Sequence, residues 1–179
     1  MQQVYFDNAA TTQMREDVIS VMTTVMKNNY GNASSSYGLG RLSKSLIEKS
    51  RKNIAKLLNA SAGEIIFTSG GTEADNLVLR SAVKDLGIEH IITSKIEHHA
   101  VLHTVEALKK EYGIVISFLH LDAFGNIDFN QLEQLLKENS NTLVSLMHVN
   151  NEIGNILDIK RVADLCRANN ALFHSDAVQ

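Results

Sequence analysis

Proline is missing from all 179 residues, although average usage of about 5% would place roughly nine in a chain of this length. Cysteine is almost missing. The single Cys166 cannot form an intramolecular disulfide, which fits a reducing compartment and makes the cytoplasm the expected location. Residues 1–7 carry no basic start followed by an apolar core, so no secretory signal is read there. No apolar run reaches the ~18 residues that a membrane span needs. Basic residues never form a block: 17 Lys and Arg stand against 20 Asp and Glu, for a net charge of −3. Nucleic acid and membrane surfaces are therefore not expected partners. What remains is a hydrophobic fraction of 44% in a chain long enough for one well-buried domain.

Apolar positions 18, 19, 22, 25 and 26 recur at helical spacing, so residues 15–28 are predicted to form an amphipathic helix. The Asn-, Ser- and Gly-rich run Gly31 to Gly40 reads as a loop. Leu42, Leu46, Ile54, Leu57 and Leu58 mark a second long helix with a charged outer face from Lys44 to Lys52. Beyond Glu64 the pattern alternates. Ile65–Thr68, Ile91–Thr93, Ile114–Leu119, Leu143–Met147 and Leu172–His174 read as strands, with helices predicted near 72–86, 98–112, 129–138 and 159–169. Each helical stretch is followed by Gly or Asn. This alternation predicts an α/β fold with a mostly parallel sheet and flanking helices. Because the chain stops straight after a strand, it is expected to be a fragment of a longer protein.

Ligands of open α/β sheets bind outside the carboxyl ends of the strands, and there the sequence is strongly polar. Ser69-Gly70-Gly71-Thr72 can bring backbone close to a phosphate at a helix start, or can be a plain Gly turn with an N-cap. Glu97-His98-His99 follows the next strand. His99 and His103 are four apart, but no carboxylate or cysteine completes a metal set at suitable spacing, so no metal is expected. Asn150-Asn151 follows a further strand and can be a turn former, while Asp176 follows the last and can be the N-cap of a helix. The convergence of these groups on one expected crevice favours function. Cys166 lies on the stripe Ile159, Val162, Ala163, Cys166 and should be a buried, inert thiol.

Asp7-Asn8-Ala9-Ala10-Thr11-Thr12, Thr68 to Asn76, Glu97 to Leu102, His148 to Gly154 and Asp176 to Gln179, in this order and spacing, resemble the NifS/IscS-type cysteine desulfurases. These are class V aminotransferase enzymes of fold type I that use pyridoxal 5′-phosphate. The resemblance implies that residues 1–14 pack with a smaller domain outside the chain and that 15–179 form part of the cofactor-binding large domain. It implies that Asp176 pairs with the protonated pyridine nitrogen and that His98 stacks on the ring and helps move protons. Gln179 would bond the phenolic oxygen, Gly71 and Thr72 would hold the phosphate, and Asn151 would lie beside cofactor and substrate carboxylate. The implied reaction turns L-cysteine into alanine and an enzyme persulfide, which passes sulfur to an acceptor such as an iron–sulfur scaffold. A homodimer is implied for the whole protein.

In the family, the cofactor-linking lysine and the persulfide cysteine stand at positions beyond Gln179, so the chain by itself is expected to be inactive. Cys166 matches neither. Gln13, Ala33 and Asp158 stand where the family commonly has proline, Tyr37 where it has histidine, and Leu157 where glutamine is common. Two other readings remain open: a different class V enzyme, such as a selenocysteine lyase or an aminotransferase, and a non-catalytic binding or assembly module.

Overall fold

The computed structural model describes residues 4–179, which fall into two compact units divided between Phe67 and Thr68. That boundary lies inside the 15–179 range read from the sequence as one domain. In the first unit, α1 spans Glu16–Asn28 and α2 spans Gly38–Leu57. A 3-10 turn at Ala62–Glu64, not foreseen in the sequence, is closed by a capping box in which Glu64 accepts from the Ser61 N–H and hydroxyl, both at 2.7 Å.

Helix α2 begins inside the expected loop, and Gly40 shows why. A Cβ there would lie 2.6 Å from the Asn32 carbonyl oxygen and against that of Ser35, so the loop backbone crosses the first turn of α2 directly. Only hydrogen fits. Gly40→Ala is expected to lower stability by about 2 kcal/mol, read as a lower urea midpoint against the unaltered chain. The buried positions of α2 are the small residues Gly40, Ser43 and Ala55, while the Leu42, Leu57 and Leu58 side chains are exposed. The predicted helical stripe exists, but within this unit it does not face a core.

Ile65–Thr68, predicted as a strand, is not one. Ile65 has an extended backbone, but no ladder partner pairs with the segment among the described residues, and Ile66 is 68% exposed. Arg51 instead donates to the Ile65 carbonyl and lies 4.7 Å over the Phe67 ring. A strand needs a neighbour's hydrogen bonds as well as β-branched residues.

The second unit is the α/β layer structure that the alternation predicts. Strands β1 (His90–Thr93), β2 (Val115–Phe118), β3 (Thr142–Ser145) and β4 (Leu172–His174) pair in parallel in the order β2-β1-β3-β4. Helix α3 (Gly71–Leu86) leads into β1, and α4 (His99–Tyr112), α5 (Phe129–Glu138) and α6 (Ile159–Ala168) connect the successive strands. Period-two alternation sorts the core into two layers. Ile91 and Leu143 pack with Leu79, Val83, Val101 and Val105 of α3 and α4, whereas Ile92 and Val144 pack with Leu132, Leu136, Val162 and Cys166 of α5 and α6. Gly87 and Gly113 close α3 and α4 at φ of 69° and 72°, a conformation that glycine adopts without cost. Asp128 and Asp158 cap α5 and α6 by accepting first-turn N–H groups, so an aspartate at 158 starts the helix without proline.

Candidate functional site

The chain reverses its direction across the sheet between β1 and β3, and the crevice outside the carboxyl ends of such neighbours is where open α/β sheets hold ligands. Helix α3 points its start toward this end of the sheet. Its N-cap is Gly70, which has no side chain to take the first-turn N–H groups, and the first-turn carboxylate of Glu73 is engaged instead by the Ser69 N–H and hydroxyl, both at 2.6 Å. A Cβ on Gly71 would lie 2.7 Å from Val178 Cγ2. The start of α3 therefore approaches the segment that carries Asp176.

Asp176 is 8% exposed. Its Oδ1 accepts the Val178 N–H at 3.0 Å, and its carbonyl accepts the His148 N–H at 2.8 Å, which carries the β3–β4 pairing past the strand ends. Gln179 ends the same segment and is exposed, and Thr72 is exposed at the start of α3.

His98 is the N-cap of α4. Its Nδ1 accepts the Ala100 N–H at 3.1 Å, an acceptor role that assigns the proton of the neutral ring to Nε2 and leaves that nitrogen free. His99 and His103 stack at 5.1 Å, and among the described residues no group of three or more ligating side chains is placed to hold a metal.

The two asparagines separate by role. Asn150 is buried, donating to the Ile96 carbonyl at 2.7 Å and accepting the N–H groups of Glu152 and Ile153. It is the turn former. The turn closes at Gly154, whose φ of 74° suits glycine, and it leaves Asn151 half-buried near its tip with Nδ2 donating to Glu152 at 2.8 Å.

Glu97 was not singled out by sequence reasoning as a functional group. It is buried, accepting the Ser94 hydroxyl at 2.8 Å and the Met147 N–H at 2.9 Å, and so ties the loop that presents His98 to the end of β3. Burial pushes its carboxyl up to about 7, with Asp176 adding to the rise while the Met147 and Ser94 hydrogen bonds and His174 oppose it. Glu97 also lines a cavity of about 300 Å³ with Ser94, Met147, Asn150, Gly125 and Asp158, on the α5 and α6 side of the sheet. His98, Asn151 and Asp176 are not among its lining residues.

The structure thus brings Gly71 next to the segment of Asp176, and joins the His98 loop to the β3 end through Glu97. Cys166 stands apart. It is 1% exposed in the α5 and α6 layer, and burial raises its thiol to about 11. A thiol reagent is expected to modify it only on unfolding, and Cys166→Ala to cost about 1 kcal/mol of stability. Rapid labelling of the folded chain would contradict this burial.

The aminotransferase class-V family profile matches residues 4–179. Cysteine desulfurase IscS of Methanosarcina thermophila is 44% identical over 98% of the chain and 44% of its own length. The putative cysteine desulfurase IscS 1 of Bacillus subtilis is 43% identical over the whole chain and 47% of its own length. The chain therefore spans about half the length of the curated relatives it matches. A solved NifS-like protein superposes with a TM-score of 0.93 at 37% identity, over 99% of this chain and 50% of the other. A structure described as SspA in complex with cysteine gives a TM-score of 0.89 at 34% identity, over 98% and 50%.

Proposed function

The chain belongs to the aminotransferase class-V family, and from that premise we propose that it carries the cofactor-binding part of a pyridoxal 5′-phosphate-dependent cysteine desulfurase. One observation carries the reading: a buried carboxylate, Asp176, lies on the segment that Gly71 meets at the uncapped start of α3. A phosphate dianion suits the free N–H groups of that helix, and a cationic ring nitrogen suits the carboxylate. The chemistry of the donor set therefore fits pyridoxal phosphate, and a Cβ at 71 would narrow the cradle.

In this reading Gly71 and Thr72 hold the phosphate, and Asp176 keeps the pyridine nitrogen protonated. His98 lies at the ring and moves protons through Nε2, since its Nδ1 is engaged by Ala100. Asn151 lies beside cofactor and substrate carboxylate, and Gln179 bonds the phenolic oxygen. When bound, the cofactor supplies an electron sink for charge developing at the substrate Cα. The substrate is L-cysteine, the ligand in the related SspA structure, and the products are alanine and sulfur for an acceptor such as an iron–sulfur scaffold. The protein works as a homodimer in the cytoplasm.

The test is to express the protein from its whole reading frame and assay L-cysteine and L-selenocysteine with pyridoxal phosphate and a dithiol, which reduces the enzyme persulfide and so releases its outer sulfur as sulfide. Alanine formed from cysteine in step with released sulfide, well above a protein-free control, is the expected result. Turnover of selenocysteine alone, or amino-group transfer without sulfide, would replace the reading with another class V activity.

A further inference from the structure

Asp75 is a carboxylate in a core position. It follows Gly71 by one turn of α3, shares a buried stripe with Leu79, Ala82 and Val83, and is 3% exposed. One oxygen, Oδ1, lies 3.4 Å from His174 Nε2, and the other, Oδ2, is buried with no hydrogen-bond partner. His174 is the last residue of β4, and its other nitrogen lies 2.9 Å from the Ser145 hydroxyl at the end of β3. His174 thus stands between the two elements, with Nε2 facing the Asp75 carboxylate and Nδ1 at the Ser145 hydroxyl. Other acidic groups face the same neighbourhood: Glu97 from the loop after β1, and Asp176 two residues further along the chain.

This contact joins the two parts that the proposed cofactor site must hold at a fixed span. Asp75 belongs to the helix whose start would take the phosphate, and His174 belongs to the strand that leads to Asp176. The ring of a pyridoxal phosphate is rigid, with its phosphate arm and its pyridine nitrogen on different sides, so an error in that span weakens one end or the other. We propose that His174 is a positioning residue of the cofactor site, its bridge between Asp75 and Ser145 setting the distance between the Gly71–Thr72 turn and Asp176. The inference rests on the pyridoxal phosphate reading.

The test uses pyridoxine 5′-phosphate and pyridoxine, which lack the aldehyde and so cannot react with surface lysines. Affinity of the chain for each is measured by equilibrium dialysis, together with the melting curve. The unaltered chain should prefer the phosphorylated ligand, and His174→Gln, which keeps a polar side chain but not the ring that faces Asp75 and Ser145 together, should reduce that preference by about tenfold. Ser145→Ala should reduce it less. A residue that only supports folding would lower the melting temperature and leave the ratio of the two affinities unchanged in the folded protein. If His174→Gln does not fold, Asp75→Asn with His174→Leu removes the contact without leaving either partner facing an unmatched carboxylate, and the same loss of phosphate preference is expected. A preserved ratio in the folded variant overturns the positioning role alone. An unaltered chain with no preference for the phosphorylated ligand overturns the cofactor reading, and this inference with it.

Discussion

Asp176→Asn is expected to lower cysteine turnover of the proposed enzyme by about two to three orders of magnitude, while cofactor binding falls far less. An amide is close to isosteric and can still meet the Val178 N–H, which now donates to Asp176 Oδ1 at 3.0 Å. What it loses is charge. In a site where Asp176 is 8% exposed, little water is at hand to stabilise a protonated pyridine nitrogen once the carboxylate is gone. The measurement pairs kcat at saturating cofactor with cofactor occupancy after dialysis. A turnover within a factor of about three of the unaltered protein would refute the role assigned to this carboxylate.

Glu97→Gln is expected to make the chain more stable above neutral pH and to leave its stability near pH 4.5 unchanged. The folded Glu97 carboxyl is raised to about 7 from 4.5, so between these values the folded chain holds a proton that the unfolded chain has released. This contribution is fully present below about pH 4.5, is lost as pH rises through about 7, and is flat above. The whole swing is about 3 kcal/mol. Glutamine fits because its oxygen can accept from Met147 N–H while its amide donates to Ser94 Oγ, the two groups that Glu97 now meets. Urea midpoints from pH 4.5 to 8.5 should converge at the acid end and separate at the alkaline end. Parallel curves would show that ionised Glu97 is not destabilising.

Much of this was legible in the sequence because the second unit obeys local rules. Glycines 87 and 113, aspartates 128 and 158, and the apolar periods between them bound the helices in the structure within a residue or two. Four of five expected strands pair, and Cys166 is buried on the stripe that contains Val162. Ile65–Thr68 failed because pairing is a property of two segments, and its residue types report only one. The start of α2 failed because the close crossing at Gly40 depends on where Asn32 and Ser35 lie in space. Sequence motifs nominate Gly71, His98, Asn151 and Asp176 for the site, but nothing in them shows that Asn150 is the turn former. Asp75 had a readable signal, a carboxylate four residues before Leu79 on a core stripe. Its partner His174 lies about a hundred residues away, and only the fold brings the two together.

The most direct measurement is amide chemical-shift mapping of the chain titrated with pyridoxine 5′-phosphate. Saturable shifts are expected at Gly71, Thr72, Ala100, Asn151, Asp176 and Val178, weakened in Asp176→Ala and unchanged in Cys166→Ala. Shifts confined to the cavity around Gly125 and Asp158, or no saturable shifts at all, would contradict the proposed cofactor site.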